Sequence, residues 1–308
     1  MKLISENIHI ISKEIKDAIL TRNESVILDL LYKIKPTLPD WIDLNIGPAK
    51  KDFAGSMQWL VKLLKQNTNL PLSFDSSNLE EIESGLKIAR NPSMCIINST
   101  TAEPDRLETI TDMAKKYDCN LIALTLNKKI GIPKMADDRL ELAFSIIEKT
   151  MEKNIDNSKI FFDPLILPIS VDQSQSIQAL DTIRMFKASF DPPTSTTIGL
   201  SNVSNGSPRP IRALINQVFF VLAAGCGLDT AIVDSFDIEL SRINKVIESR
   251  KVEHKKDSLF LALFDMMQGF GELEDISYDK SDVYQVQIYK TAQILLNKNI
   301  YSHSYLDI

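Results

Sequence analysis

Eight short apolar or β-branched runs punctuate this chain, and between them lie longer stretches with helical spacing. The runs cover 2–10, 41–47, 71–77, 93–100, 120–127, 159–167, 195–202 and 229–235. Strand followed by helix, repeated at intervals of roughly thirty residues, is the pattern of a closed (β/α)8 barrel. The helical stretches carry their own signals. In KKDFAGSMQWLVKLLKQN (50–67), Phe53, Met57, Leu60 and Leu64 recur at three- and four-residue spacing. Ser77 and Asn78 precede LEEIESGLKIAR as start signals, Pro104 follows Glu103 at the next, and Gly227 stands where RPIRALINQVFFVLAAGCG should stop. An open doubly wound sheet is the alternative. No GxGxxG turn follows any run, which counts against its dinucleotide-binding version. With no linker rich in Gly, Ser or Pro, residues 1–308 are expected to form one barrel domain.

The runs begin apolar and end polar. Their ends supply Asp43 and Asn45, Asp75, Asn98 and Ser99, Thr125 and Asn127, Asp163, Ser201 and Asn202, and Asp234. Any one of these taken alone is more simply a turn former or helix cap. In a barrel, however, all of them converge on one rim, where active sites form. The set consists of carboxylates and amides, with no Ser-His-Asp or Cys-His arrangement and no lysine for a Schiff base. Such residues suit a flat heterocycle: an ionised Asp accepts two parallel hydrogen bonds from an N–H/NH2 edge, and Asn offers both a donor and an acceptor. Asp163 lies within FFDPLILPIS, where a bare carboxylate is costly unless something pairs with it.

Charge and composition exclude other classes. The net charge of −6 and pI near 5.3 give no electrostatic footprint for nucleic acid. No apolar run is long enough for a membrane span, and the N-terminus lacks the uninterrupted apolar core of a signal peptide, so a cytoplasmic protein is expected. Cys95, Cys119 and Cys226 form no CxxC pair, and His9, His254 and His303 no ligand-spaced cluster; no protein-bound metal is expected. Residues 240–286 read as a helical insertion. Its basic start, RINKVIESRKVEHKKD, suits a solvated helix face. Its apolar continuation, SLFLALFDMMQGFGELED, needs a packing partner, for which a dimer mate is a candidate.

Taken in order, DLNIGP (43–48), FDSSN (74–78), INSTTAE (97–103), LTLNKKIGIP (124–133), FDPLILP (162–168), GLSNVS (199–204) and AQILLNKNIYSHSY (292–305) resemble the methyltetrahydrofolate:corrinoid/iron–sulfur protein methyltransferases. The resemblance runs over nearly the whole chain. It implies a homodimeric pterin-binding barrel that moves the N5-methyl group between methyltetrahydrofolate and the cobalt of a partner corrinoid protein, in either direction. The cobalamin belongs to the partner. The resemblance also implies roles for individual residues. Asp75, Asn98 and Asp163 would contact the pterin ring, with Gly199 and Ser201 beside them, and Asn202 would lie near N5 as the catalytic amide. Arg212, or Arg209 in its place, and Asn205 are candidates for the folate tail or corrinoid side. Strand one reads SENIH where the family usually has GERIN, so His9, with Asp43 and Asn45, is a candidate rim contact. A dihydropteroate synthase-like enzyme is an alternative, although GLSNVSNG lacks the lysine such enzymes carry in this region. The folate half of a methionine synthase fits less well, since no cysteine cluster is present for its zinc module. A catalytically silent folate- or corrinoid-protein-binding subunit is the alternative of a different class.

Overall fold

Eight parallel strands pair in chain order and close on themselves: β1 (Lys2–His9), β2 (Trp41–Gly47), β3 (Leu72–Ser76), β4 (Ile96–Thr101), β5 (Asn120–Leu124), β6 (Ile160–Asp163), β7 (Ser195–Gly199) and β8 (Thr230–Val233), the last pairing with β1. This computed structural model describes residues 1–49 and 51–306. The closed barrel is the expected fold, and the open sheet is ruled out.

Two helices, α1 (Lys13–Thr21) and α2 (Glu24–Ile34), carry the first crossover. One helix serves each later crossover: α3 (Ser56–Asn67), α4 (Leu79–Leu86), α5 (Pro104–Tyr117), α6 (Ala136–Glu152), α7 (Ser174–Ser189) and α8 (Arg209–Gly225). The start signal at Asn78 is realised, since its side chain accepts from the backbone N–H groups of Glu80 and Glu81. Gly227, with φ +98, lies just beyond the end of α8. The continuous helix expected over 50–67 is broken. A 3-10 turn at Lys51–Phe53 precedes α3, and Gly55 between them takes φ +71, a value that favours glycine. Lys50, where that stretch begins, lies outside the described residues.

Strand side chains alternate between two faces, and the alternation fixes what fills the barrel. Ile4, Trp41, Ile96, Ile122 and Phe161 form a small apolar cluster of their own, with Trp41 and Phe161 meeting edge to face at 6.3 Å. They plug the interior near the strand starts. Their neighbours Ile42, Ile97, Leu121 and Ile160 belong instead to the outer core beneath the helices. Two residues beyond the inward plug come Asp43, Asn98, Leu124 and Asp163. The apolar layer is thus the floor of a polar mouth.

β1 breaks the alternation. Ile4 lies inside the barrel, whereas Ile8, four residues on, lies in the outer core. In a regular strand both would face the same way. The register against β2 shifts between Ser5 and Ile8, and this bulge makes the switch.

After β8 the chain forms α9 (Ile238–Ser249), α10 (Lys255–Gln268) and α11 (Val283–Leu295). The apolar part of 240–286 finds a packing partner within the chain. Leu259, Phe260, Leu263, Met266 and Met267 are buried in one cluster with Phe219 and Phe220 of α8. The approach is close: a Cβ at Gly225 would lie 2.5 Å from the carbonyl oxygen of Phe264. Arg242 of α9 pairs with Glu239 at 2.8 Å and with the buried Asp257 of α10 at 2.7 Å, so part of the basic run serves as an internal tie.

Candidate active site at the barrel mouth

Most of the carboxylates and amides expected at the strand ends gather at the mouth, in two tiers; Asn127 instead closes a local turn, its Oδ1 accepting the Ile130 N–H. The lower tier is Asp43. It is fully buried and accepts hydrogen bonds from Ser73 Oγ (2.6 Å) and Asn98 Nδ2 (3.2 Å). Burial pushes its carboxyl up to about 6 despite those two donors. Asp43 therefore lies beneath the rim and orients Asn98. With Nδ2 committed to Asp43, Asn98 turns its Oδ1 toward the mouth as an acceptor.

The upper tier is built the same way. Asn45 Nδ2 donates to Asp75 Oδ2 at 2.5 Å, and its Oδ1 accepts from the Gly47 N–H. Asn45 thus fixes Asp75. Arg106 of α5 binds the carbonyl oxygens of Ser76, Ser77 and Ser99, clamping the ends of β3 and β4 together, and its charge opposes the upward push on Asp75 from burial and from Asp43.

Asp163 is held by its own loop. Its Oδ1 accepts the N–H of Leu165 at 2.7 Å, and Leu165 takes φ +63 to turn that N–H back. Burial pushes the carboxyl up to about 6, and the Leu165 bond and the Arg139 charge pull it down less. Arg139 comes from α6 and is completely buried. Its Nε donates to Pro133 O and its Nη2 to Gln175 Oε1 at 2.6 Å, while Nη1 is buried without a partner among the described residues. Sequence reasoning missed Arg139. The signal was present, because it is the one charged residue on the buried stripe Ala136, Arg139, Leu142, Ala143 and Ile146.

A 3-10 turn at Leu200–Asn202 follows β7. The Asn202 side chain is exposed and makes no hydrogen bond among the described residues. It lies over Gly199, where a Cβ would come 2.9 Å from its Nδ2. That contact would be with the far end of a side chain, and Gly199 has an ordinary φ of −82. Gly199→Ala should therefore fold normally yet turn the Asn202 amide aside. Its melting temperature is expected to match the parent, and a reaction needing that amide should slow by roughly ten- to a hundredfold. A crystal structure of the variant with Asn202 unmoved would contradict this account.

The Ser201 hydroxyl donates to Glu6, a second residue the sequence reading passed over. Asn7 donates to Asp234 Oδ1 at 2.6 Å and so joins β1 to the end of β8. His9 Nδ1 is buried without a partner among the described residues, and burial lowers its pKa, keeping the ring neutral. Asn205, Arg209 and Arg212 are exposed on the β7–α8 connection and the first turn of α8, with Arg212 Nε on Ser207 O at 2.7 Å. The mouth thus gathers Glu6, Asp43, Asp75, Asp163 and Asp234, against which, among the described residues, only Arg106 and Arg139 act as counter-charges. A ligand presenting N–H donors would relieve it. Among the described residues, no three His, Cys, Asp or Glu side chains are grouped to hold a metal ion. No helix among the described residues is long and apolar enough to cross a membrane.

A sequence model of the family described as pterin binding enzyme matches residues 41–234, which span β2 to the end of β8. The chain is 25% identical over 236 residues to a methylcorrinoid:tetrahydrofolate methyltransferase of Eubacterium limosum, covering 76% of this chain and 85% of that one. It is 26% identical over 277 residues to a methionine synthase of Mycobacterium leprae, covering 87% of this chain but only 22% of that much longer protein. A dihydropteroate synthase from Yersinia pestis, solved with a pterine-sulfa conjugate, superposes with a TM-score of 0.59 at 16% identity, covering 81% of this chain and 94% of that one. That likeness is one of fold.

Proposed function

This chain belongs to the pterin-binding enzyme family, and from that membership we propose that it moves the N5-methyl group between methyltetrahydrofolate and the cobalt of a corrinoid protein. The observation that carries this reading is the free amide of Asn202 beside a ring-binding set in which every other member is already held in place. Asp75, Asn98 and Asp163 would take the N–H/NH2 edge of the pterin, each presenting an acceptor oriented by a neighbour. Asn202, whose side chain has no partner among the described residues, would donate to N5.

Tetrahydrofolate is a poor leaving group unless charge on N5 is met by a donor. An amide that bonds more strongly to N5 as the methyl departs lowers the barrier, and it need not be an acid to do so. The second substrate is the corrinoid protein, whose reduced cobalt is the nucleophile. The barrel contributes orientation and proximity. The relative named for transfer between a methylcorrinoid and tetrahydrofolate supports this reading, and its coverage extends to most of that enzyme's length. The dihydropteroate synthase alternative would also need a pyrophosphate site, and the β7 region GLSNVSNG supplies no lysine for one.

The test is direct. The purified protein, methyltetrahydrofolate and chemically reduced cob(I)alamin are mixed anaerobically, and loss of the cob(I)alamin absorbance is followed. Transfer is expected, and it should persist after exhaustive treatment with a chelator. Loss of activity that zinc restores would overturn the mechanism, and tight folate binding without transfer would favour the silent binder.

A further inference from the structure

We propose that Glu6 stores the proton that methyl transfer consumes and passes it through Ser201 to the nitrogen that loses the methyl group, an assignment that rests on the methyl-transfer reading above. The geometry comes first. Glu6 lies two residues beyond the inward Ile4 and meets Ser201 at the mouth, while the bulge between Ser5 and Ile8 turns Ile8 outward. Glu6 receives the Ser201 hydroxyl, and Ser201 is the residue before Asn202 on the same 3-10 turn. An acid and a hydroxyl are therefore hydrogen-bonded beside the residue that carries the free amide.

The surroundings of Glu6 are acidic. Asp43 acts on it from β2 and Asp234 from the end of β8, and among the described residues no cation opposes them there. Asn7 occupies one oxygen of Asp234, and the neighbouring His9 is kept neutral by burial. Desolvation, with those two carboxylates and against the Ser201 bond, pushes Glu6 up to about 7. An acid so poised holds a proton at neutral pH and gives it up readily. When Glu6 is ionised, the Ser201 hydroxyl points to it. When Glu6 is protonated, its own O–H can donate to Ser201 Oγ, which frees the serine proton for the mouth.

The step balances. The carbon–nitrogen bond breaks with its pair left on N5, and cobalt(I) supplies the pair for the new bond to carbon. N5 takes the Ser201 proton, Ser201 takes the Glu6 proton, and the Glu6 carboxylate is reprotonated from solvent. One proton is consumed per methyl group, and the reverse reaction releases it. Glu6 acts through Ser201 and does not touch the substrate.

Two measurements test this. In protein labelled with 13C at the glutamate carboxyl, the resonance absent from Glu6→Gln should titrate near pH 7. A midpoint below about 5 would overturn the proposal whatever the catalysis shows. Single-turnover methyl transfer to free cob(I)alamin should fall about tenfold per pH unit above pH 7 in the parent. In Glu6→Gln it should be at least about tenfold slower at pH 6 and flat up to pH 8.5, with folate affinity within about threefold of the parent. Ser201→Ala should show the same loss with Glu6 still titrating. If Glu6→Gln keeps the parent's falling limb, the proton comes from elsewhere and the proposal fails. A parent that binds folate but transfers no methyl group overturns the methyl-transfer reading and this role with it. Transfer by a parent whose Glu6 is already ionised at pH 5 overturns this role alone.

Discussion

Asn202→Ala is expected to cut the rate of methyl transfer to cob(I)alamin by about a hundredfold or more, the scale of removing one preorganised donor. The variant is clean for structural reasons. The amide is exposed and bonded to nothing among the described residues, so its loss strands no buried partner and opens no cavity. Thermal stability should stay within about 0.5 kcal/mol of the parent, as for other surface changes. Folate binding should weaken much less than the rate, because Asp75, Asn98 and Asp163 keep their own supports in the variant. A loss confined to kcat marks an interaction made in the transition state. Stopped-flow single turnovers give the rate, and quenching of protein fluorescence gives the affinity. Equal losses in both would reduce Asn202 to an ordinary ring contact.

Much of this site was legible because a strand has a period of two. Once Trp41 is placed inside, Asp43 and Asn45 must follow it inside, and the same count takes Phe161 to Asp163 and Ile96 to Asn98. The tiers were not legible. Asp43 and Asn45 read from sequence as rim contacts, yet the structure commits both to holding Asn98 and Asp75, because the hydrogen bonds that decide this cross between strands about thirty to fifty-five residues apart. Glu6 was hidden by the β1 bulge. Counting by two from Ile4 also puts Glu6 inside, but it then puts Ile8 inside as well, where the structure has it outside, so no single count fits both. The helix α10 was expected from its apolar stretch, but its partner could not be named. Which surface receives an apolar face depends on the glycine contact at Gly225, a long-range fact.

Asp163→Asn is expected to make the protein more stable and a poorer folate binder at once. Burial raises the Asp163 carboxyl from 3.8 in the unfolded chain to about 6 in the folded one. The folded state therefore holds this proton more tightly than the unfolded state does. Its cost is absent below pH 4, grows as pH rises toward 6, and is complete above that, reaching about 3 kcal/mol for a shift of about two units. Asparagine has no charge to desolvate, and its Oδ1 can still accept the Leu165 N–H. At pH 7.5 the variant should melt several degrees higher than the parent, and the gain should vanish as pH falls through 6 to 4. Binding moves the other way. One acceptor becomes an NH2 facing the donors of the pterin edge, which costs about 1–3 kcal/mol, or roughly ten- to a hundredfold in affinity. A ligand that requires the carboxylate also makes parental affinity fall below pH 6, and the variant should lose one proton's worth of that slope. Calorimetry of folate binding between pH 5 and 8, beside melting curves at the same pH values, reads both effects. A variant that is more stable with unchanged folate affinity would leave Asp163 a buried acid with no part in holding the ring. One that binds poorly without gaining stability would mean that Asp163 is already paired in the free protein.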